Sequence, residues 1–243
     1  MKILITGSNG FIGKNLQVYL AQRQDVELLL FDLPQTTDDL KMLANQADFV
    51  FHFAGVNRPQ DSEEFYTGNR DLTRALVEML ERENRHIPVV LSSSVWAIRD
   101  YPYGISKKEA EDIVFAYSKK ADAPTYVYRF PHVFGRWCKP NYNSVVATFC
   151  YNVVNNIPLR VDDPDVELTL IYIDDVVRDF ERILEGHIVP KADGFIEYPC
   201  YHKVTLGWLA ETITGFADSA QALDISNPLL KKLYTTFISY FKR

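Results

Sequence analysis

The sequence predicts an α/β protein with a doubly wound, parallel sheet. In its first half, short and almost wholly apolar runs alternate with longer stretches of helical periodicity. Runs of this kind are typical of parallel strands that helices cover on both faces, and their alternation with helices is the pattern of a doubly wound sheet. At 243 residues, the chain is long enough to bury such a sheet within one domain.

The apolar runs place five strands, and the periodic stretches place the helices between and after them. The expected strands are Lys2–Thr6, Val26–Phe31, Asp48–Phe53, Val89–Ser93 and Thr125–Phe130, with helices at Ile12–Leu20, Glu64–Glu83 and Ser106–Lys119. From about Gly135 onward, prolines and asparagines break the alternation, and the expected helices are Asn143–Asn155, Asp174–Glu185, Leu206–Thr214 and Pro228–Phe241. We therefore expect one domain over residues 1–243, with a core of about residues 1–135 and a small C-terminal elaboration, about residues 136–243, packed on it.

Composition and charge exclude several classes of protein. A net charge of −6 gives no general attraction to nucleic acid or to an anionic membrane, and no apolar run approaches the roughly 20 residues that span a bilayer. Lys2 is followed by three apolar residues and then a glycine-rich turn, which does not predict a signal peptide. Cys138, Cys150 and Cys200 have no CxxC or His pairing, so we expect three small buried hydrophobic residues, no disulfide and no metal. The expected location is the cytoplasm.

A glycine-rich turn directly after the first strand predicts nucleotide binding. It reads Thr6-Gly7-Ser8-Asn9-Gly10-Phe11-Ile12-Gly13, a GxxGxxG spacing between a strand and a helix. Gly7 allows the tight turn, Gly10 allows main-chain amides to approach a pyrophosphate, and Gly13 allows the helix to pack closely on the strand. The helix N-terminus faces the phosphates with unpaired donors. The residues expected to contact a dinucleotide here are Gly7, Asn9, Gly10, Phe11, Ile12 and Gly13.

Further residues at strand ends are expected to complete the dinucleotide site. Asp32 ends the second strand about 20 residues after the turn, where a carboxylate accepts from the ribose hydroxyls of NAD and repels the 2′-phosphate of NADP. The residues after the third strand, Phe53, Ala54 and Gly55, are expected to line the site. Asp48 is expected on the adenine side and Asn69 in a loop-bracing position. His52 lies inside an apolar strand, where a hydrogen-bonded core residue is the favoured interpretation.

A tyrosine and a lysine four residues apart indicate proton transfer. Tyr103 and Lys107 form YxxxK, and positions i and i+4 share one face of a helix. A phenol has an unperturbed pKa of about 10, and a nearby cation lowers it, which makes tyrosine usable as an acid or base. The run Ser92-Ser93-Ser94 ends the fourth strand, and Ser94, its last member, is expected to orient a substrate carbonyl.

Together these residues resemble the extended short-chain dehydrogenase/reductase family, whose pattern is TGxxGxxG, an active-site serine and YxxxK. The similarity covers essentially the whole chain and implies a Rossmann-like fold, an NAD(P) cofactor, and a C-terminal elaboration that binds the substrate. Arg129–Gly135 resembles the family's RxxNxxG segment, with His132 in place of asparagine and Pro131 at the cofactor. Ile171–Val176 resembles its YVDDV-like helix start.

Three further strings narrow the resemblance to reductase domains of capsular polysaccharide biosynthesis. They are His52–Pro59, Arg136–Ser144 and Val166–Leu170. These domains precede a cupin domain and reduce the 4-keto group of a UDP-linked N-acetylamino deoxy sugar with NADPH. The resemblance therefore implies a UDP-sugar substrate, which His132, Lys139 and Asn143 are expected to bind. The resemblance implies NADPH as the cofactor, whereas Asp32 favours NAD. The expected partners are a second copy of the chain in a homodimer and a separate cupin-type epimerase.

Two other functions use the same motifs. An NAD-dependent nucleotide-sugar epimerase or dehydratase shares the fold and cofactor, and a cofactor-sensing scaffold would bind dinucleotide without catalysis. In the dehydratase branch an Asp-Glu pair directly follows the active-site hydroxyl residue. Here Val95, Trp96 and Ala97 follow Ser94, and none of them can carry a proton at neutral pH. Tyr103 and Lys107 argue against the scaffold.

Overall fold

A parallel five-stranded sheet forms the centre of the first part of the computed structural model. Its strands are β1 (Lys2–Thr6), β2 (Glu27–Phe31), β3 (Phe49–His52), β4 (Val89–Ser94) and β5 (Thr125–Phe130). They pair in the order β2-β1-β3-β4-β5, and every neighbouring pair is parallel. The doubly wound α/β prediction is confirmed. In this order the chain reverses direction across the sheet between β1 and β3, which is where open α/β sheets bind ligands.

Helices connect these strands. They are α1 (Phe11–Leu20), α2 (Thr37–Gln46), α3 (Glu63–Phe65), a π-helical segment (Tyr66–Asp71), α4 (Leu72–Arg82), a 3₁₀ helix (Val95–Ile98) and α5 (Pro102–Ala121). The sequence prediction missed α2, whose buried residues are Leu40 and Ala44. A capping box between Thr36 and Asp39 starts this helix. The predicted start of α5 at Ser106 was four residues late, because Pro102 occupies the first helical turn.

The core of this sheet and its helices is apolar and tightly enclosed. Leu4, Val50, Leu76, Val89 and Val127 have no exposed surface. They come from β1, β3, α4, β4 and β5, so one apolar layer holds these four strands and a helix together. Because the strands are buried on both faces, their carboxyl ends form a rigid edge for the loops that follow them.

A second, three-stranded sheet lies later in the chain. It contains β6 (His132–Phe134), β7 (Glu167–Tyr172) and β8 (His202–Thr205), with β6 and β7 parallel and β7 and β8 antiparallel. The helices here are α6 (Val145–Val154), α7 (Ile173–Leu184), α8 (Leu206–Gly215) and α9 (Pro228–Ile238). The sequence predicted these four helices but none of the strands. β6 and β8 are three and four residues long, too short to give a periodic signal.

The structure describes residues 1–142, 144–198, 200–218 and 226–241. The chain forms two compact units, the first of Met1–Phe130 with Glu181–Glu197 and the second of Pro131–Phe180 with Tyr198–Arg243. The assignment of one domain, with a core of about residues 1–135 and a C-terminal elaboration, stays a prediction. Among the helices within the described ranges, none has the length and apolar character needed to span a membrane.

Candidate active site

The glycine turn lies between β1 and α1, beside the loop that follows β3. Gly7 has a φ of +68°, and a Cβ there would stand 2.6 Å from the main-chain nitrogen of Ala54. A Cβ on Gly13 would overlap the carbonyl oxygen of Gly7 and lie 2.9 Å from the Cα of Ser8. Gly10 is the N-cap and has no side chain to bond the first amides of α1. Glycine is therefore required where the turn packs against neighbouring backbone, and the first amides of α1, which have no partner within the helix, fit a pyrophosphate.

Asp32 is fixed against the glycine turn. Its Oδ2 accepts a hydrogen bond from the Asn9 amide at 2.6 Å, and its Oδ1 accepts from the Leu33 amide at 2.8 Å. The main-chain amide of Asp32 donates to the Gln35 side chain at 2.9 Å. The carboxylate therefore has a set position at the end of β2, as the ribose-binding prediction requires. No lysine or arginine stands in residues 8–10 or 32–37 to receive a 2′-phosphate.

His52 is a core residue with a defined tautomer. Its ring nitrogens lie 2.6 Å from Thr6 Oγ1 and 2.8 Å from Thr73 Oγ1. Because the Thr73 hydroxyl donates to the Asn69 carbonyl at 2.6 Å, it must accept from His52 Nε2, and Nδ1 must accept from Thr6. Burial lowers the pKa of His52 to about 3, so the imidazole is neutral. These contacts confirm the core interpretation of His52.

Asn69 braces the loop that follows β3. It lies in the π-helical segment, and its side chain accepts from the Val56 amide at 2.9 Å and donates to the Val56 carbonyl at 3.1 Å. It also donates to Ser106 Oγ at 3.0 Å, which links the loop to α5. A Cβ on Gly55 would lie 2.5 Å from Asn69 Oδ1 and 3.9 Å from Lys107 Nζ. The glycine therefore lets this loop pass directly beside the lysine.

Tyr103 and Lys107 both lie within α5, one turn apart. Lys107 is 7% exposed, and its ammonium donates to the Ser92 carbonyl at 2.7 Å. Burial lowers the pKa of Lys107 to about 8, and the negative charge of Glu111 opposes that shift. The Tyr103 ring is half-buried, with its centroid 5.5 Å from that of Phe65. Tyr103 and Lys107 therefore lie one turn apart on the same helix, and the lysine is the more deeply buried of the two.

The three serines at the end of β4 have different partners. The Ser92 carbonyl accepts a hydrogen bond from the Lys107 ammonium, and the Ser93 hydroxyl donates to Glu111 at 2.6 Å. Ser94 is the last residue of β4, and its hydroxyl accepts from the Trp96 amide at 3.2 Å. Ser94 therefore keeps a hydroxyl proton to donate, which suits the predicted contact with a substrate carbonyl.

A buried charged group next to these residues was not predicted from the sequence. Glu111 has no exposed surface, and Arg129 holds both of its carboxylate oxygens, with Nε at 2.8 Å from Oε1 and Nη2 at 2.6 Å from Oε2. The guanidinium also lies over the Phe195 ring, 4.2 Å from the centroid. An available signal was the position of Glu111, four residues after Lys107 on the buried face of the same helix.

The predicted substrate residues belong to the second unit. His132 begins β6 and pairs in register with Leu170, and burial lowers its pKa. Lys139 is exposed, with its ammonium 5.8 Å from the centre of the Tyr142 ring. Asn143 lies outside the described residues, and Pro131 is the residue before β6. The roles given to these residues stay predictions.

Two expectations from the sequence are wrong. Asp48 was expected on the adenine side, but its carboxylate accepts from the Lys2 amide at 2.7 Å, at the amino end of β1 and away from the glycine turn. Cys138 and Cys150 are buried as expected, whereas Cys200 is partly exposed, with Sγ 3.9 Å from Lys232 Nζ.

Comparisons with known proteins place the chain in a family of NAD-dependent enzymes. The sequence profile of the NAD dependent epimerase/dehydratase family matches residues 3–191. A UDP-2-acetamido-2,6-beta-L-arabino-hexul-4-ose reductase from Pseudomonas aeruginosa is 41% identical over 243 residues, which is 99% of this chain and 65% of the reductase. The chain therefore spans just under two thirds of that relative's length.

Two solved structures are also similar to the structure of this chain. The capsular polysaccharide assembling protein CapF from Staphylococcus aureus superposes with a TM-score of 0.89 at 39% identity, over 100% of this chain and 66% of CapF. A UDP-glucuronic acid 4-epimerase from Bacillus cereus, solved in complex with NAD, superposes with a TM-score of 0.84 over 99% of this chain and 98% of the epimerase. The epimerase is 18% identical, so it supports the fold. The resemblance to capsule reductases read from the sequence is confirmed.

Proposed function

Because the chain belongs to the NAD dependent epimerase/dehydratase family, we propose that it reduces the 4-keto group of a UDP-linked N-acetylamino deoxy sugar, using NADH or NADPH. The observation that carries the proposal is that Ser94 ends β4, and that Lys107, one turn from Tyr103 on α5, donates a hydrogen bond to the Ser92 carbonyl of the same strand. The name of the Pseudomonas aeruginosa relative, a reductase of a UDP-linked hexul-4-ose, supports the choice of substrate class.

Residues of the first unit fit a dinucleotide. The amides of Phe11, Ile12 and Gly13 at the start of α1 would bind the pyrophosphate, and Asp32 would accept from the adenosine ribose hydroxyls. Phe53, Ala54 and Gly55, in the loop that Asn69 braces at Val56, would lie along the nicotinamide half. When bound, the reduced cofactor supplies the hydride.

The three polar side chains would then handle the ketone oxygen. The Ser94 hydroxyl would donate to the carbonyl and orient it, and Tyr103 would deliver the proton to the oxygen as the alcohol forms. The Lys107 ammonium, charged below a pKa of about 8, would stabilise the phenolate that remains. It is also expected to reach the nicotinamide ribose, so its loss should affect binding as well as turnover.

The UDP moiety is assigned to the second unit. His132, Lys139 and Asn143 are proposed to contact the nucleotide sugar, with Lys139 as a charge partner of the diphosphate. The support is their place in the segments that resemble capsule reductases, and an exposed ammonium beside an aromatic ring suits an anionic nucleotide.

Incubation with two substrates tests the reaction type. A ready-made UDP-4-keto-6-deoxy-N-acetylamino sugar should be reduced with stoichiometric loss of NADH or NADPH absorbance. UDP-N-acetylglucosamine with NAD should give no 4-keto-6-deoxy product, because Val95–Ile98 after Ser94 carries no acid or base. Formation of that product would make the chain a dehydratase and overturn the reductase assignment.

The same incubations distinguish a reductase from an epimerase and from a cofactor-sensing scaffold. An epimerase would interconvert two UDP-sugars at C4 with no net change in cofactor. A scaffold would bind dinucleotide and turn over neither sugar.

We also propose that the chain works as a homodimer in the cytoplasm and hands its product to a cupin-type epimerase. The support for a cupin step is the resemblance of His52–Pro59, Arg136–Ser144 and Val166–Leu170 to capsule reductase domains, which precede a cupin domain. Sedimentation equilibrium tests the dimer, and conversion of the reduced sugar by an added cupin-type epimerase tests the second step.

A further inference from the structure

A buried carboxylate joins three elements of the first unit. Glu111 on α5 receives hydrogen bonds from Ser93 at the end of β4 and from Arg129 at the end of β5. Ser93 and Arg129 are register partners in the parallel pair β4 and β5. One carboxylate therefore spans two neighbouring strands one residue before Ser94, and it fixes α5 against both.

Stability does not account for a charge in this place. Burying a carboxylate and a guanidinium removes their hydration, and well-packed apolar side chains of similar size often serve a fold as well or better. Both carboxylate oxygens of Glu111 nonetheless accept hydrogen bonds, and Arg129 stacks on Phe195 while part of its side chain remains open to solvent. The arrangement holds a full negative charge at a fixed point next to the site.

Glu111 lies one helical turn from Lys107. Tyr103, Lys107 and Glu111 follow each other at four-residue intervals, so they share one face of α5. Burial lowers the pKa of Lys107 to about 8, and Glu111 acts in the opposite direction. Without the carboxylate, the ammonium would lose its proton at a lower pH.

Other groups around α5 do not take over this role. The imidazole of His52 on β3 faces Lys107 in its neutral form, and β4 offers the Ser92 carbonyl. Val95–Ile98 has no ionisable side chain. On the flanks of α5, Arg70 of the π-helical segment pairs with Glu109 at 3.6 Å, and Glu81 of α4 pairs with Lys120 at 2.6 Å.

We propose that Glu111 is a positioning residue for the proton-transfer site: clamped by Ser93 and Arg129, it fixes α5 against β4 and β5 and keeps the Lys107 side chain charged. This proposal rests on the proposed function, because it gives Lys107 its catalytic part. It adds the requirement for a negative charge at Glu111, beside the serine, tyrosine and lysine.

The test separates the charge of Glu111 from its shape. Glu111→Gln keeps the size and removes the charge, Glu111→Asp keeps the charge and shortens the reach, and Ser93→Ala removes one hydrogen bond and keeps both charges. The Lys107 ammonium is titrated directly in the free enzyme by NMR of ¹³Cε-labelled lysine, with Lys107→Met to assign its signal. The pH profile of kcat/KM for reduction is recorded in parallel.

Glu111→Gln should lower the midpoint of the Lys107 titration by about one pH unit and move the alkaline limb of kcat/KM with it. Glu111→Asp and Ser93→Ala should keep the wild-type midpoint, while Glu111→Asp loses about tenfold in kcat through misplacement of α5. An unchanged midpoint in folded Glu111→Gln overturns the proposal, and so does an equal shift in Ser93→Ala.

If Glu111→Gln does not fold, the double variant of Glu111→Gln with Arg129→Met removes both members of the ion pair, and its Lys107 midpoint is compared with that of Arg129→Met alone, so that the difference reports the loss of the carboxylate. The NMR titration needs no substrate. A wild-type enzyme that fails to reduce the keto sugar therefore refutes the proposed function without deciding the role of Glu111, and an unshifted titration refutes that role without touching the reductase.

Discussion

The ammonium of Lys107 lies 2.7 Å from the main-chain oxygen of Ser92. Ser92 stands two residues before Ser94 on the same strand, so this one bond couples the position of α5 to the strand that ends at Ser94, the serine proposed to orient the carbonyl. The same helix carries Tyr103 in its first turn. One strand and one helix thus hold the proposed proton donor, the cation beside it and the proposed carbonyl-orienting serine, and each can be tested separately.

Tyr103→Phe should leave dinucleotide affinity close to the wild-type value and reduce turnover of the keto sugar by about 10²–10⁴-fold. The substitution removes the phenolic proton and keeps the ring beside Phe65. Fluorescence titration with NADH and steady-state kinetics measure the two effects. Near-normal turnover in a well-folded variant would show that another group donates the proton.

Lys107→Met should weaken both NADH binding and turnover. The buried ammonium is lost together with its stabilisation of the phenolate and its expected contact with the nicotinamide ribose. Lys108→Met is the matched control, because Lys108 is the neighbouring residue on the exposed side of α5 and pairs with Asp112. If Lys107→Met changes the melting temperature alone, or if both variants behave alike, Lys107 has a structural role.

The cofactor preference should follow Asp32. We expect NADH to bind at least as well as NADPH, because the carboxylate is fixed by the amides of Asn9 and Leu33 where a 2′-phosphate would lie. Asp32→Asn should raise the affinity for NADPH relative to NADH, and Asp38→Asn, an exposed change in the first turn of α2, should not. A clear preference of the wild-type protein for NADPH would mean that Asp32 turns away from the ribose.

Stability should fall on the acid side through His52. Burial lowers the pKa of this residue from 6.5 to about 3 in the folded state. Between these values the unfolded chain binds a proton that the folded chain does not, so stability is lost as the pH falls below about 6.5. One such proton corresponds to about 1.4 kcal/mol per pH unit.

Urea unfolding at several pH values measures this loss. His52→Gln should be less stable at neutral pH, because the hydrogen bonds with Thr6 and Thr73 are disturbed, but its stability should depend less steeply on pH by about one proton. Identical slopes in the two proteins would show that His52 is protonated within the fold.

The first half of the fold could be predicted from the sequence because its signals are local. β1 and β5 have the predicted bounds, and the other three central strands differ by one or two residues. The missed helix α2 buries Leu40 and Ala44, but six of its ten residues are polar, so the helical repeat of its apolar residues is weak. The strands β6 and β8 were missed for a related reason, because both are very short and β8 is half-exposed along its length.

The sequence by itself determined the sheet, the glycine cradle and the pairing of Tyr103 with Lys107, because each depends on residues close together along one strand, turn or helix. The tertiary structure decided which distant groups meet them: Ser93, Glu111 and Arg129 converge from β4, α5 and β5, and Asp32 meets the amide of Asn9 across two strands. The physical reason is that backbone periodicity is a short-range property. A buried ion pair or a fixed carboxylate needs the packing of elements that lie far apart in the chain.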